Sequence, residues 1–297
     1  MPASRAISFE FKNQVSPRYI QPLFLQLQPG EGYESTEMQQ MLRDGGLDVQ
    51  GKQIVGANII FWTKVGLGER EIGKTSLFRL SPLGIQVKEL YSTNQELFFD
   101  VIHFLFYSAW RRSGKLAQAP LWLYAQVCDT LWQNAPGKMD SMALTRQMQE
   151  ESRPNFPKHE PSFPERSVRA VFPWLSALMP PFLSKCGAKS DLCSERRITC
   201  TPQLFHLAVE LLFQQEGLQY GTSLTIDEQH ITAVCQTCLL ATDRFWEMAS
   251  LTDMAIRELE VRQGQWGTSL ALTGPPRWIN LPDFADKTDA GNGEEEI

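Results

Sequence analysis

Histidine and the familiar catalytic motifs are scarce in this sequence. Only four His occur in 297 residues, and the chain contains no phosphate-binding glycine loop and no GxGxxG, HExxH or GxSxG motif. Nor does it show the clustered acids and Lys that a metal-dependent nuclease needs. The sequence therefore identifies no catalytic residue and favours a non-enzymatic protein.

Long apolar runs and an export signal are also missing. The longest apolar stretch, residues 97–110, is interrupted by Asp100 and His103 and is shorter than the roughly 20 residues of a membrane span. We interpret His103 as a core histidine. The N-terminus lacks the basic start, apolar middle and small-residue cleavage site of a signal peptide. We therefore expect a cytoplasmic protein with no membrane partner.

What is present is an ordinary globular composition, with 42% hydrophobic, 10% aromatic and 21% charged residues, which excludes a disordered chain. The net charge of −6 is unevenly spread. Residues 1–150 carry 15 Lys+Arg and 14 Asp+Glu, whereas residues 151–297 carry 13 and 20. From position 283 onward six acidic residues face one Lys, so much of the acidity belongs to a tail.

The distribution of Pro, Gly and charge predicts five segments. Four Pro between positions 153 and 164 prevent a helix from continuing through that stretch. The predicted segments are an extended N-terminal segment (1–34), a winged-helix-like helical domain (35–135), a Pro-rich linker (136–165), a C-terminal helical domain (166–282) and an acidic disordered tail (283–297).

Residues 35–91 carry the most informative pattern. Ser35 or Thr36 can cap a first helix that ends at the glycine pair 45–46, and a second helix follows over residues 53–65. A polar hairpin over 69–75, a β-like run over 76–80 and a Ser-Pro cap before a third helix come next. This order predicts a winged helix-turn-helix, and the whole chain is expected to be mainly α with a small β-hairpin wing. A compact helical subdomain that contacts no nucleic acid is the alternative.

In a winged helix, the second helix meets a DNA groove while the wing contacts phosphates. The exposed Lys, Arg and amide side chains expected there are of the types that contact phosphates and base edges. Residues 36–90 hold seven Lys+Arg and six Asp+Glu, so we expect weak or assisted binding to double-stranded DNA. The candidate DNA-binding residues are Lys52, Gln53, Asn58, Lys64, Arg70, Lys74 and Arg79.

The cysteines form a second candidate site. Six Cys without a signal peptide are too sparse for a disulfide scaffold, so we interpret them as thiols, metal ligands or core residues. Four thiolates from the C-terminal half could hold zinc or, less favourably, an iron–sulfur cluster. The alternative is that they are small buried hydrophobes. The candidate ligands are Cys186, Cys193, Cys200, Cys235 and Cys238.

Several short phrases resemble an uncharacterised bacterial domain family that is encoded in defence islands beside DNA phosphorothioation genes. They are the Phe9/Phe11 region with Pro17-Arg18-Tyr19, residues 58–62, residues 80–84, residues 167–169 and residues 201–205. The resemblance spans about residues 8–280. It implies a winged-helix-containing helical protein of a DNA-defence or DNA-processing complex, in which Arg18 and Tyr19 anchor the N-terminal segment. It implies no catalytic residue.

Three functions remain open from the sequence. The first is a non-catalytic DNA-binding subunit or adaptor of a bacterial defence or mobile-element complex. The second is a protein-interaction subunit without direct DNA contact, with an apolar face formed by Leu204, Leu207, Leu211, Trp246 and Met248. The third is a metal-dependent sensor or redox protein built on the cysteines.

Overall fold

Short helices and three small antiparallel sheets make up the described parts of the chain. A computed structural model describes residues 9–47, 51–72, 76–113, 118–157, 163–187, 191–265 and 267–281. The helices are α1 (Ser35–Asp44), α2 (Gly51–Lys64), α3 (Pro82–Thr93), α4 (Gln95–Ser113), α5 (Ala119–Gln133), α6 (Ser141–Asn155), α7 (Glu165–Arg169), α8 (Phe172–Ala177), α9 (Pro202–Gln215), α10 (Glu228–Cys238) and α11 (Phe245–Ala255). The mainly helical class predicted from the sequence is confirmed.

Each sheet has three strands, with the hairpin-joined pair extended by one further strand. The strands are β1 (Tyr33–Glu34), β2 (Gly68–Ile72), β3 (Ser76–Leu80), β4 (Gly137–Lys138), β5 (Leu183–Lys185), β6 (Leu192–Ser194), β7 (Ser223–Thr225), β8 (Leu259–Gly264) and β9 (Gly267–Leu272). Their orders are β1-β3-β2, β4-β6-β5 and β7-β9-β8. In each sheet the central strand therefore pairs with one neighbour close in sequence and one distant neighbour.

Helices α4 and α5 form the centre of the core. Both are apolar on nearly every side, which is the pattern of a helix surrounded by protein. His103 of α4 is buried, its Nδ1 lies 3.0 Å from the Tyr124 hydroxyl, and its Nε2 lies 3.0 Å from the Thr237 carbonyl. A carbonyl can only accept, so Nε2 carries the proton and Nδ1 accepts from Tyr124. Burial lowers the pKa of His103 to about 4, and the prediction of a core histidine is confirmed.

A buried ion pair joins α4 to the C-terminal half. Asp100 Oδ1 lies 2.9 Å from Arg197 Nη1, and neither side chain is exposed. Asp100 Oδ2 accepts hydrogen bonds from both the amide and the hydroxyl of Thr201, the N-cap of α9. Arg197 also donates to the Met179 carbonyl at 2.7 Å. The two halves of the chain therefore share one core, in which a polar cluster sets the position of α9 against α4.

The N-terminal segment is packed along the helical core rather than standing apart. The Phe9 ring lies 4.6 Å from that of Phe156, and the Phe11 ring lies 4.9 Å from that of Phe61, both edge to face. Tyr19 is buried in the same core. Within the N-terminal segment, residues 17–19 and 24–26 form short 3-10 helices.

The interval 136–165, predicted as a Pro-rich linker, differs from that expectation because it contains helix α6. Asp140 caps this helix by accepting from the amides of residues 142 and 143. Pro154 lies in its last turn, so the proline marks the end of the helix and does not prevent it. The predicted acidic tail lies outside the described residues. In the part of the chain that is described, no helix combines the length and apolar character of a membrane span.

Candidate nucleic-acid interface

The unit formed by residues 33–80 follows the order strand, helix, helix, hairpin. α1 ends at Gly45, and α2 is followed by a turn at Gly66, whose φ is 78°. β2 and β3 pair from Gly68 with Leu80 to Ile72 with Ser76, and β1 adds to the free edge of β3. Ser81 then caps α3 by accepting from the Gly84 amide at 2.9 Å. The order and approximate bounds agree with the predicted helices and hairpin. The predicted cap of α1 is wrong, because Glu34 and not Ser35 or Thr36 is its N-cap, and β1 was not predicted.

The predicted DNA-contacting residues of α2 differ in their exposure. Lys52 and Gln53 are exposed on its first turn. Asn58 is only 1% exposed, and its amide donates to the carbonyls of Gln14 at 2.8 Å and Ile54 at 2.9 Å. Asn58 as a DNA contact is therefore a wrong prediction. It lies off the apolar stripe, but the N-terminal segment covers that side of the helix, so the amide fixes the segment instead.

Lys64, at the end of α2, is largely covered. Burial lowers the pKa of Lys64, and the nearby Lys12 lowers it further. Lys64 is only partly exposed, so it is less accessible than Lys52, and its contact with DNA stays a prediction.

On the wing, Arg70 and Arg79 are both exposed, but their surroundings differ. The Arg70 Nε donates to the Ser76 hydroxyl at 2.7 Å, which holds the guanidinium without neutralising it. Arg79 forms an ion pair with Glu71 at 3.2 Å, and its strand register places it opposite Glu69. Two carboxylates therefore flank Arg79, whereas no ion pair with Arg70 occurs among the described residues. Lys74 lies outside the described residues.

The centre of the exposed face of α2 was not predicted from the sequence. Gly56, Ile60 and Thr63 continue the row that Lys52 and Gln53 begin, at the spacing of successive helical turns. Ile60 is 42% exposed, and a Cβ built on Gly56 would meet no atom within 4 Å. The face is thus flat in its middle, weakly charged and open to a partner. The spacing of three to four residues from Lys52 onward would have predicted this exposed face from the sequence.

Of the five predicted metal ligands, Cys200, Cys235 and Cys238 lie near one another, whereas Cys186 and Cys193 are joined to each other. Cys186 and Cys193 form a disulfide, with their Cα atoms 5.7 Å apart, across the hairpin of β5 and β6. Their sulfurs are therefore not thiolate ligands, and the expectation of thiols without a disulfide is wrong for this pair. Two cysteines seven residues apart can form a disulfide across a hairpin or bind a metal from one loop. The strand pairing, which the sequence does not show, distinguishes these two interpretations.

Cys200, Cys235 and Cys238 are buried and unoxidised. Burial raises the pKa of the Cys235 thiol to about 12 and that of Cys238 well above its usual range, so both are protonated at neutral pH. The Cys238 thiol donates to the Leu204 carbonyl at 3.9 Å. In the described ranges no group of three or more His, Cys, Asp or Glu side chains is placed to hold a metal ion. The described geometry resembles the small-hydrophobe alternative, and zinc binding stays a prediction.

Comparison with known proteins gives a fold and no family. No protein-family model matches this chain, and no curated protein does. Two solved structures are similar over 94% of this chain and 90% of theirs: "Magnesium ion-bound SspB crystal structure", with a TM-score of 0.56, and "SspB crystal structure", with 0.55. Each is 13% identical to this chain. At that identity, the similarity establishes a shared fold only.

Proposed function

We propose that this protein is a non-catalytic DNA-binding subunit or adaptor, and that residues 33–80 act as a winged helix on double-stranded DNA. The observation that carries the proposal is the exposed face of α2, which lies between α1 and a hairpin with an exposed arginine. The sheet order β1-β3-β2 around two helices supports the winged-helix interpretation. In such units the second helix enters the major groove.

Lys52 and Arg70 are the residues to which we assign phosphate contact. Lys52 lies at the N-terminal end of α2, where the helix dipole adds to its positive charge. Arg70 lies on the wing, where Ser76 fixes its orientation. Gln53 is the base-edge candidate, because its amide both donates and accepts.

Two phosphate contacts are few. They would give a salt dependence with a slope of about 2 in log–log units, compared with about 10 for strongly basic DNA-binding proteins. The protein is therefore expected to bind DNA weakly by itself and to gain affinity from a partner subunit. An adaptor within a DNA-processing complex fits this expectation, as does the resemblance to defence-island proteins.

The test is fluorescence anisotropy of a labelled duplex over a salt series, with the double variant Lys52→Glu/Arg70→Glu. The matched control is Arg146→Glu/Arg153→Glu, which makes the same charge change on the exposed surface of α6. We expect the α2 and wing variant to lose at least about tenfold in affinity at low salt, a difference of 1.4 kcal/mol. An equal loss of affinity in the control variant would show that net charge, and not these two residues, causes the change. If the wild-type protein does not bind the duplex, direct DNA contact is rejected.

Helix α11 supports a second candidate, the protein-interaction subunit. Trp246, Leu251 and Met254 are exposed on this helix, Met254 by 85%. The other residues predicted for an apolar face, Leu204, Leu207, Leu211 and Met248, are buried in the core, so that part of the prediction is wrong. The test compares the proteins that co-purify with the wild-type protein and with the Trp246→Ser/Met254→Ser variant. If wild type and variant retain the same partners equally, this candidate is rejected.

A further inference from the structure

A pocket of about 350 Å³ lies outside the winged unit, between the C-terminal ends of α4, α6 and α9 and the first half of α5. This volume is within the range of small-molecule sites. Two indoles, one guanidinium and three carboxamides surround it, which is an unusual concentration of planar side chains. The lining residues are Trp110, Arg111, Trp122, Ala125, Gln126, Asn155 and Gln215.

The aromatic wall of the pocket is firmly held. The Trp122 ring is 3% exposed and lies 5.4 Å from the ring of Phe156, edge to face. The Trp110 ring lies 5.3 Å from the same Phe156 ring. Trp122 therefore forms a fixed wall of the pocket, and Trp110, which is partly exposed, presents the more open ring.

Arg111 is held in place from behind. Its Nη2 donates to the Asp129 carboxylate and, at 2.9 Å, to the Tyr107 hydroxyl, which itself donates to Asp129 at 2.6 Å. These contacts use one nitrogen of the guanidinium, so the remaining donors can face a phosphate or carbonyl oxygen. The guanidinium is thereby oriented before any ligand arrives, which lowers the entropy lost on binding.

The carboxamides are also oriented. Gln126 Nε2 donates to Glu151 at 2.6 Å, and Asn155 Nδ2 donates to the Glu151 backbone carbonyl at 2.9 Å. The amide oxygens of both residues therefore remain as acceptors, while the exposed Gln215 offers both a donor and an acceptor. Asn and Gln side chains are matched to the hydrogen-bonding edge of a nucleobase, and indoles to its face.

We propose that this pocket binds a nucleobase-bearing ligand. The partly exposed indole of Trp110 provides the stacking surface, with Trp122 behind it as the pocket wall. The carboxamides meet the base edge, and Arg111 receives a phosphate or carbonyl oxygen. Two sources offer this chemistry: a free nucleoside monophosphate, or an unpaired base within a DNA strand. The proposal is independent of the winged helix, because none of the lining residues belongs to residues 33–80.

The decisive variant fills the pocket. Ala125→Leu adds a side chain into the empty volume and removes no hydrogen bond, while Ala255→Leu makes the same change on the exposed end of α11. Gln215→Glu is a second variant at an exposed position, so it preserves the fold and adds a carboxylate to the pocket that Arg111 also lines. Each is checked by circular dichroism and then titrated by calorimetry with the four deoxynucleoside monophosphates, the matching nucleosides and a short single-stranded oligonucleotide.

We expect wild-type protein and Ala255→Leu to bind at least one probe equally, and Ala125→Leu to bind it at least about tenfold more weakly. Gln215→Glu should weaken a monophosphate more than its nucleoside. Binding of monophosphates supports the free-nucleotide source, and binding of the oligonucleotide alone supports the unpaired base. If wild-type protein binds no probe, or if Ala125→Leu binds as tightly as wild type, the proposal is overturned. The Lys52→Glu/Arg70→Glu variant should retain this binding, which separates its outcome from that of the winged helix.

Discussion

Gly56 provides a prediction in which stability and function change in opposite directions. A glycine in a helix interior costs roughly 0.5–1 kcal/mol relative to alanine, because its backbone loses more freedom on folding. A Cβ at Gly56 would meet no atom within 4 Å, so no contact in the isolated chain offsets the gain. Gly56→Ala is therefore expected to stabilise the protein by roughly 0.5–1 kcal/mol, or a few degrees in Tm.

The contrast is Gly84, at the start of α3. A Cβ there would lie 1.9 Å from the carbonyl oxygen of Leu67, so Gly84→Ala must displace the backbone between α2 and the hairpin. We expect it to destabilise the fold, whereas an argument from helix propensity alone would predict stabilisation at both positions. Chemical denaturation of the three proteins measures the two changes.

The functional half of the prediction uses Gly56→Glu. Glutamate is a better helix former than glycine, so the fold is kept, while a carboxylate enters the centre of the proposed DNA-facing surface. Duplex affinity should fall at least about tenfold, and Ser250→Glu, on the exposed side of α11, should leave it unchanged. Unaltered DNA binding by a folded Gly56→Glu protein would refute the assignment of α2 as the recognition helix. Destabilisation by Gly56→Ala would refute the packing on which the argument rests.

Three further predictions concern two buried polar groups and the disulfide. Asp100→Asn leaves the Arg197 guanidinium buried beside a neutral partner, so unfolding free energy should fall by about 3–5 kcal/mol, whereas Asp100→Leu/Arg197→Met should recover much of it; a double variant no better than the single would contradict this. The pKa of His103 is about 4 in the folded protein and about 6.5 in the unfolded chain, so its contribution to stability is present above pH 6.5 and is lost as the pH falls towards 4. In His103→Gln, the slope of the unfolding free energy against pH over that window should be smaller by up to about 1.4 kcal/mol per pH unit. An unchanged slope would contradict the burial of a neutral His103. Thiol titration of the unfolded, unreduced chain should give four thiols, and six after the Cys186–Cys193 disulfide is reduced. Reduction should also lower the free energy of unfolding by roughly 2–3 kcal/mol. Six thiols before reduction would reject the disulfide.

Local signals in the sequence account for the elements that could be predicted. The boundaries of α1, the hairpin and α3 depend on a glycine stop, a short turn and a Ser-Pro cap, all of which act within a few residues. The row from Lys52 to Thr63 is equally local and could have been found. The strand β1 could not, because two residues form a strand only when β3 provides their partner.

The failed site predictions share a different cause, which is contact between distant parts of the chain. Asn58 resembles a surface amide until the Gln14 carbonyl, 44 residues away, accepts its hydrogen bond. Asp100 resembles an interruption in an apolar helix until Arg197 and Thr201 surround it. Side-chain chemistry alone cannot say whether a polar group in such a position will be buried and paired or exposed and functional.

Packing on two sides limits the contacts that α2 can make. Because the core and the N-terminal segment occupy two of its sides, a partner can meet it only along the row from Lys52 to Thr63. That row carries one cation and an exposed Ile60, so attraction to phosphates is weak and close fit must supply much of any affinity. A protein with such a surface would depend on a second subunit to hold it near DNA, and adding that subunit should raise affinity without changing which α2 variants abolish binding.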